Sequence, residues 1–430
     1  MRQAIFSVVA VLIAACANTP TTTESDGLHT VTIHAAVPDN SGQVYLAGSA
    51  PSLGPWRADG LLMQGDGRER VATLQLPEGA ELEYKVTQGA WEHEGLGPSG
   101  MVMPNSHLTV HGDTDGAITV SDWKHDISEY VGDPAGSGVI GQLIYWRDVT
   151  SPLLQEKRNV EICLPPQYAA NPTARFPVIY MQDGQNLFDP RIAYTGVDWG
   201  VDEAMQALVS DGTIEPAIIV GIWSTPARRF EYAPAGVLAM MTDDMKAVAA
   251  SEFPPDLRVG DAYLRFIVEE LKPRVDAAYR TRPGREGTFM MGSSMGALIS
   301  VYGMGEYPNV FGGAAGLSMH WPVGIAEENF IQREAQWRPA IVTAWQRYFQ
   351  AKHLDPATHR LWVDHGTGFL DHYYTSYQDA AVPMLHALGY VDGVSLEART
   401  YPGANHNETA WRARLREPLT FLLRRSPPVH

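Results

Sequence analysis

Gly292-Ser293-Ser294-Met295-Gly296 stands between a strand-like apolar run, Thr288-Phe289-Met290-Met291, and a helix-like one that begins Ala297-Leu298-Ile299. A G-x-S-x-G pentapeptide in that strand–turn–helix setting predicts a sharp turn that lifts the central hydroxyl, here Ser294, above the end of a sheet. Glycine is needed on both sides because the bent chain passes close to its neighbours. At the top of such a turn the amide of Met295 and the new helix N-terminus face any oxyanion that develops on a substrate. A serine hydroxyl is a weak nucleophile until a base removes its proton and an acid orients that base. The expected chain order is serine, acid, histidine.

Of the fourteen histidines, His406 has the fitting context. It lies in a small, polar loop, Tyr401-Pro402-Gly403-Ala404-Asn405-His406-Asn407-Glu408, after the strand-like Leu396–Tyr401 and before the last helical stretch. The acid falls in Leu361-Trp362-Val363-Asp364-His365-Gly366-Thr367-Gly368-Phe369-Leu370-Asp371. Asp371 is favoured, because the acid projects from the loop beyond the penultimate strand; Asp364, at the strand end, is the alternative. A second oxyanion donor is expected from the loop after the third sheet strand, Gln182-Asp183-Gly184-Gln185-Asn186. The Gln185 amide is the candidate and Gly184 the alternative. His353, His359, His365 and His372 cluster in sequence, but their spacing matches no familiar ligand motif, so no metal is expected.

These groups need a frame. From Phe176 onward, apolar β-rich runs (Phe176–Met181, Ala217–Ile222, Thr288–Met291, Leu361–Val363) alternate with helical stretches, which predicts an α/β fold with a sheet buried on both faces. Asp261–Ala278 reads as one amphipathic helix through Leu264, Ile267, Leu271 and Val275. Ala235–Gly260, with Met240, Met241 and Met245, reads either as a lid or as simple packing. Residues 29–124 differ: short alternating runs punctuated by Gly, Pro, Asn and Asp predict a small all-β immunoglobulin-like sandwich. Residues 125–140, with Asp133-Pro134-Ala135-Gly136-Ser137-Gly138, read as a linker to the α/β domain, 141–425.

The formal net charge of −17 argues against nucleic acid as a partner. Cys16 and Cys163 are the only cysteines, which excludes a disulfide scaffold. Residues 1–15 carry a short apolar run ending Leu12-Ile13-Ala14-Ala15-Cys16, which resembles the lipobox of bacterial lipoproteins. The resemblance implies export to the bacterial cell envelope, cleavage before Cys16 and a lipid anchor on its thiol, with 16–28 as a polar tether. Cys163 reads as a small core residue.

Residues 141–425 resemble the esterase D and enterochelin esterase family of α/β-hydrolases. The likeness rests on Cys163-Leu164-Pro165-Pro166-Gln167-Tyr168, Met181-Gln182-Asp183-Gly184-Gln185-Asn186, the Ser294 elbow and Tyr307-Pro308-Asn309-Val310-Phe311-Gly312. It also rests on Asp364-His365-Gly366-Thr367 and Gly403-Ala404-Asn405-His406-Asn407-Glu408. It implies carboxylic-ester hydrolysis without cofactor, through an acyl-serine on Ser294, with substrates among acylated glycans, siderophore esters and small thioesters. Asp183 and Gly184 are expected on the substrate side; Arg228, Arg229 and Glu231 are expected either there or in a salt-bridged loop.

The N-terminal region resembles the family-20 starch-binding module at Val44-Tyr45-Leu46-Ala47-Gly48, Leu53-Gly54-Pro55-Trp56, Leu76-Pro77-Glu78-Gly79, Glu83-Tyr84-Lys85 and Trp91-Glu92. That resemblance places a sugar-stacking site on Trp56, Lys85 and Trp91. The alternative is that Trp56 is core and the module only spaces the enzyme. A surface glycan-binding lipoprotein with an inactive hydrolase domain is the competing function.

Overall fold

The computed structural model describes residues 27–39, 41–54, 56–97, 103–124, 137–252, 254–323 and 327–424. Cys16 and the tether up to residue 26, and residues 125–136 of the expected linker, lie outside them. The chain divides into two compact units, one comprising residues up to Gly95 and Asn105–Trp123, the other Leu96–Pro104 and Lys124 onward.

The first unit carries two larger β-sheets, of three and four strands. Leu28–Ala36 is central in one, antiparallel to Glu69–Pro77 and parallel to Thr114–Thr119. The other runs Leu61–Leu62, Tyr45–Gly48, Glu81–Thr87 and Ser106–Thr109, all antiparallel. Period-two alternation puts Val31, Ile33 and Ala35 of the first sheet and Leu82, Tyr84 and Val86 of the second into one core. Gly116 marks the contact between the sheets. A Cβ there would come within 2.7 Å of Ile33 Cδ1 and 2.9 Å of the Tyr84 hydroxyl, so only hydrogen fits.

The second unit is an eight-stranded sheet. Its strands are β1 (Gln142–Ser151), β2 (Leu154–Leu164), β3 (Val178–Gln182), β4 (Ile218–Ile222), β5 (Thr288–Ser293), β6 (Gly313–Leu317), β7 (Arg360–Gly366) and β8 (Leu396–Tyr401), in the order β1-β2-β4-β3-β5-β6-β7-β8. β1 and β2 form an antiparallel hairpin, and β3 to β8 are parallel. Successive residues of the parallel strands enter opposite cores. Val178, Tyr180, Met290, Leu361 and Val363 face one side, and Ile179, Met181, Phe289, Met291 and Trp362 face the other. That is why these strands read as continuous apolar runs.

Helices α1 (Met295–Glu306) and α2 (Phe369–Ala387) bury against the first face. Helices α3 (Glu408–Arg414) and α4 (Arg416–Leu423) bury against the second. The strand order reverses at β3, whose neighbours are β4 on one side and β5 on the other. Such a switch point opens a crevice beyond the carboxyl ends of the strands. The Asp261–Ala278 helix is present but widens into a π-turn over Phe266–Leu271, just before Pro273, which has no N–H to continue the ladder. Met241, Met245 and Cys163 are buried.

Candidate active site

Ser294 occupies the bend between β5 and α1 with φ 55° and ψ −123°, a region that side-chain-bearing residues rarely enter. Strain of this kind costs about 1–3 kcal/mol and persists only where packing enforces it. The Ser294 N–H donates to the Leu317 carbonyl at 2.9 Å, and its carbonyl accepts from Leu298 N–H at 3.1 Å. Gly292 and Gly296 touch across the bend: a Cβ on Gly292 would lie 2.6 Å from the Gly296 carbonyl carbon. Gly292, Ser293 and Gly296 are buried while Ser294 and Met295 are half-exposed, so the turn presents the central serine and the residue after it to solvent.

His406 enters from the loop after β8. Its Nδ1 lies 2.5 Å from Asp371 Oδ1, and its ring sits edge-on between Tyr374 (5.7 Å between ring centroids) and Trp411 (5.1 Å). Asp371 is fully buried in the first turn of α2. Burial alone would raise its pKa. The neighbouring His406, with hydrogen bonds from His406, Ser318 and the Gly366 amide, outweighs burial and holds the carboxyl below its ordinary value. Asp371 Oδ2 accepts from Ser318 Oγ and Gly366 N–H, each at 2.6 Å.

Asp364 has a different role. Its oxygens accept from Ser318 N–H (2.9 Å), Arg414 Nη2 (2.8 Å) and Trp362 Nε1 (2.9 Å). Burial pushes its pKa up in spite of Arg414. It therefore supports the acid's surroundings, and Asp371 is the carboxylate that meets the imidazole.

The loop after β3 begins with Asp183 in the left-handed region (φ 55°) and continues as a single tight turn, Gly184–Asn186. Gly184 is pressed onto β4: a Cβ there would lie 2.5 Å from the Gly221 carbonyl carbon. The Gln185 side chain staples the loop to the exit of β4, donating to Ser224 Oγ at 2.6 Å and accepting from Ser224 N–H at 3.1 Å. The loop also abuts the elbow, since a Cβ on Gly296 would come 3.1 Å from Asp183 Oδ2 and from Gln182 Cβ.

Several expected binding residues are placed differently. Asp183 is buried and gripped by Arg228, Nε to Oδ1 at 2.6 Å and Nη2 to Oδ2 at 2.8 Å, so its charge is spent inside the protein. Arg229 is exposed. Glu231 follows the salt-bridged alternative: it is 1% exposed and bound by Arg158 at 2.5 and 3.1 Å and by Thr225, so it belongs to the core. Its place on a charged run hid this, because Arg158 is distant in sequence. Lys85 is corrected for the same reason, being buried in an ion pair with Glu94. Trp56 and Trp91 are half-buried, with ring centroids 6.5 Å apart and planes tilted by 38°. His359 and His365 are buried with ring nitrogens against backbone carbonyls, and among the described residues no three His, Cys, Asp or Glu side chains gather as metal ligands.

Sequence reasoning missed Ser318 and Arg414. The Ser318 hydroxyl donates to Asp371 and accepts from Trp411 Nε1 and Arg414 Nη2, both at 2.8 Å. Nothing local marks Ser318, a polar residue after the small-residue strand β6. Trp411 and Arg414 are three apart on α3, a spacing that puts both on one face and was the available signal.

A parallel sheet with a nucleophile elbow after β5, an acid after β7 and a histidine after β8 defines an α/β-hydrolase. Residues 151–422 match the model of the family described as Putative esterase, and the chain belongs to that family. It is 30% identical over 161 residues to the uncharacterized protein YjcH of Bacillus subtilis (37% of this chain, 54% of that one). It is 28% identical over 170 residues to the ferri-bacillibactin esterase BesA of the same organism (39% of this chain, 56% of that one). The chain thus spans little more than half the length of these relatives. Among solved structures it is similar to the enterobactin esterase FES from Shigella flexneri, at 15% identity and a TM-score of 0.48 over 93% of this chain and 95% of that one.

Proposed function

We propose that the protein is an exported serine carboxylic-ester hydrolase that acts on acylated glycans or related esters through a Ser294–His406–Asp371 triad. His406 takes the Ser294 proton as Oγ attacks the ester carbonyl carbon. The Met295 and Gln185 N–H groups stabilise the resulting oxyanion. The C–O bond to the alcohol breaks as His406 returns the proton to it, leaving an acyl-serine that water cleaves by the same relay. Asp371 keeps the imidazole in the tautomer whose Nε2 can accept and balances the positive charge that forms. The hydrogen bond of 2.5 Å between Asp371 and His406 is the observation that carries this reading. The test is p-nitrophenyl acetate turnover by the wild type and Ser294→Ala. Loss of turnover in the variant is expected, and equal rates would sink the proposal in favour of an inactive glycan-binding lipoprotein.

The relationship to BesA favours a second reading, a siderophore ester hydrolase. Iron–catecholate triesters set against acetylated and feruloylated oligosaccharides separate the two. Within the first reading, 29–124 is a carbohydrate-binding module joined by 125–140 to the esterase domain, 141–425. Cys16 carries the lipid that holds both to the envelope; a Cys16→Ala variant released from the membrane fraction supports that anchor.

A further inference from the structure

The opposite edge of the catalytic sheet, where β5 to β8 begin, holds a groove of about 660 Å³. That volume is in the range of small-molecule sites. Its charged lining is Arg282, Arg285, Arg360 and Arg424 with Glu215 and Glu286. Four guanidinium groups against two carboxylates make a cationic groove in a chain whose formal net charge is −17. Gathering like charges costs free energy unless something of opposite sign joins them.

The partners of these groups leave that charge uncompensated. Arg282 pairs with Glu215, and its Nε is buried with no hydrogen-bond partner among the described residues. Among the described residues, the Arg360 side chain donates only to backbone, the Phe421 and Leu422 carbonyls at the end of α4. Arg424 donates to the Gly393 and Val394 carbonyls. Carbonyl oxygens satisfy N–H donors but carry only partial charge. Burial and then Arg424 lower the pKa of Arg360, and Glu215 offsets them only in part. The Arg285 guanidinium has no hydrogen bond or ion pair among the described residues. Its Cγ lies 3.5 Å from where a Cβ on Gly312 would be, and Arg360 N–H donates to the Gly312 carbonyl at 3.0 Å, so both arginines flank one glycine. The Glu286 carboxylate lies over Gly284, 2.5 Å from where a Cβ would be, and makes no ion pair with these arginines among the described residues.

We infer that this groove binds a small multivalent oxyanion, a phosphate ester or polycarboxylate, whose oxygens take the forked donors of Arg285, Arg360 and Arg424. Planar guanidinium forks match such oxygens two at a time. The parallel strands separate the groove from Ser294, about 17 Å for five residues, so the anion does not compete with an ester substrate. The inference is independent of the esterase reading.

Calorimetric titration of the full-length protein with tripolyphosphate and with citrate tests it. Saturable one-to-one binding of at least one is expected, weakening as salt is raised. Tighter binding of tripolyphosphate assigns a phosphate ester, and tighter binding of citrate a polycarboxylate. Arg285→Ala should weaken binding by about tenfold or more. This side chain makes no hydrogen bond or ion pair among the described residues, so the variant is expected to keep the wild-type melting temperature. Arg416→Ala, which breaks the exposed pair with Asp211, should bind as the wild type does. Absence of saturable binding by either anion, or an Arg285→Ala variant that binds both unchanged, would overturn the proposal.

Discussion

Asp371 Oδ1 and His406 Nδ1 meet at 2.5 Å although 35 residues separate them in the chain. One comes from the first turn of a helix after β7 and the other from the loop after β8, and the parallel pairing of those strands brings both to one edge. The second oxygen of the same carboxylate is held by Ser318 and Gly366, so the acid can turn neither away from nor past the imidazole.

Asp371→Asn should lower kcat by about 10³–10⁴-fold with little change in KM, because the amide can favour the wrong imidazole tautomer. Asp364→Asn should instead lower stability, since it removes the nearer of the two carboxylates that face the buried Arg414, at 2.8 Å against 3.8 Å for Asp371, and should spare most of kcat. Steady-state kinetics and thermal melts of both variants decide it; reversed phenotypes would make Asp364 the acid.

Gly184→Ala should cost about 10²-fold in kcat. A methyl group there meets backbone of β4, at 2.5 Å from Gly221 C and 2.8 Å from Ile222 N, and backbone cannot step aside as a side chain can. The loop must lift, carrying the Gln185 N–H away from the oxyanion. Wild-type kcat in this variant would remove Gln185 from the mechanism.

Glu231→Ala should lower stability by about 3–5 kcal/mol through an unpaired buried Arg158, with KM unchanged. Denaturant melts and kinetics together distinguish this from substrate binding, which would raise KM and leave the melt alone.

Asp202 supplies a pH signature. Burial, only partly offset by the Ile140 N–H at 2.6 Å and reinforced by Glu203, pushes its pKa up to about 7 from 3.8. The folded state therefore holds a proton that the unfolded chain releases between about pH 4 and pH 7. Stability from this group is full below that window and is lost as pH rises through it. Relative to Asp202→Asn, the wild type should lose about 4 °C or more in Tm across the window. Parallel Tm curves for the two would refute the shift.

In the N-terminal unit, Trp56→Ala should weaken retention on a maltooligosaccharide affinity gel by about tenfold without lowering Tm, since the ring is half-buried beside Trp91. Lys85→Ala should do the reverse, because Lys85 is sealed against Glu94. Unchanged retention of the tryptophan variant would leave that unit as a spacer.

The groups proposed to react were legible because their constraints are local. Strained turns need glycine within two residues, so Gly292 and Gly296 announce Ser294, and apolar runs between helices announce a doubly covered sheet. The order serine, acid, histidine follows from the order of parallel strands, a property of chain connectivity. Tertiary structure bore on what turns on charge, including the contact with His406 that favours the acid the chain order already preferred. Asp371 over Asp364, the burial of Glu231 and Lys85, and the supporting roles of Ser318 and Arg414 each depend on which opposite charge or hydrogen-bond donor arrives from a distant segment. A carboxylate's free energy is set by its neighbours in space, through desolvation and Coulomb terms that act across a few ångströms regardless of separation along the chain.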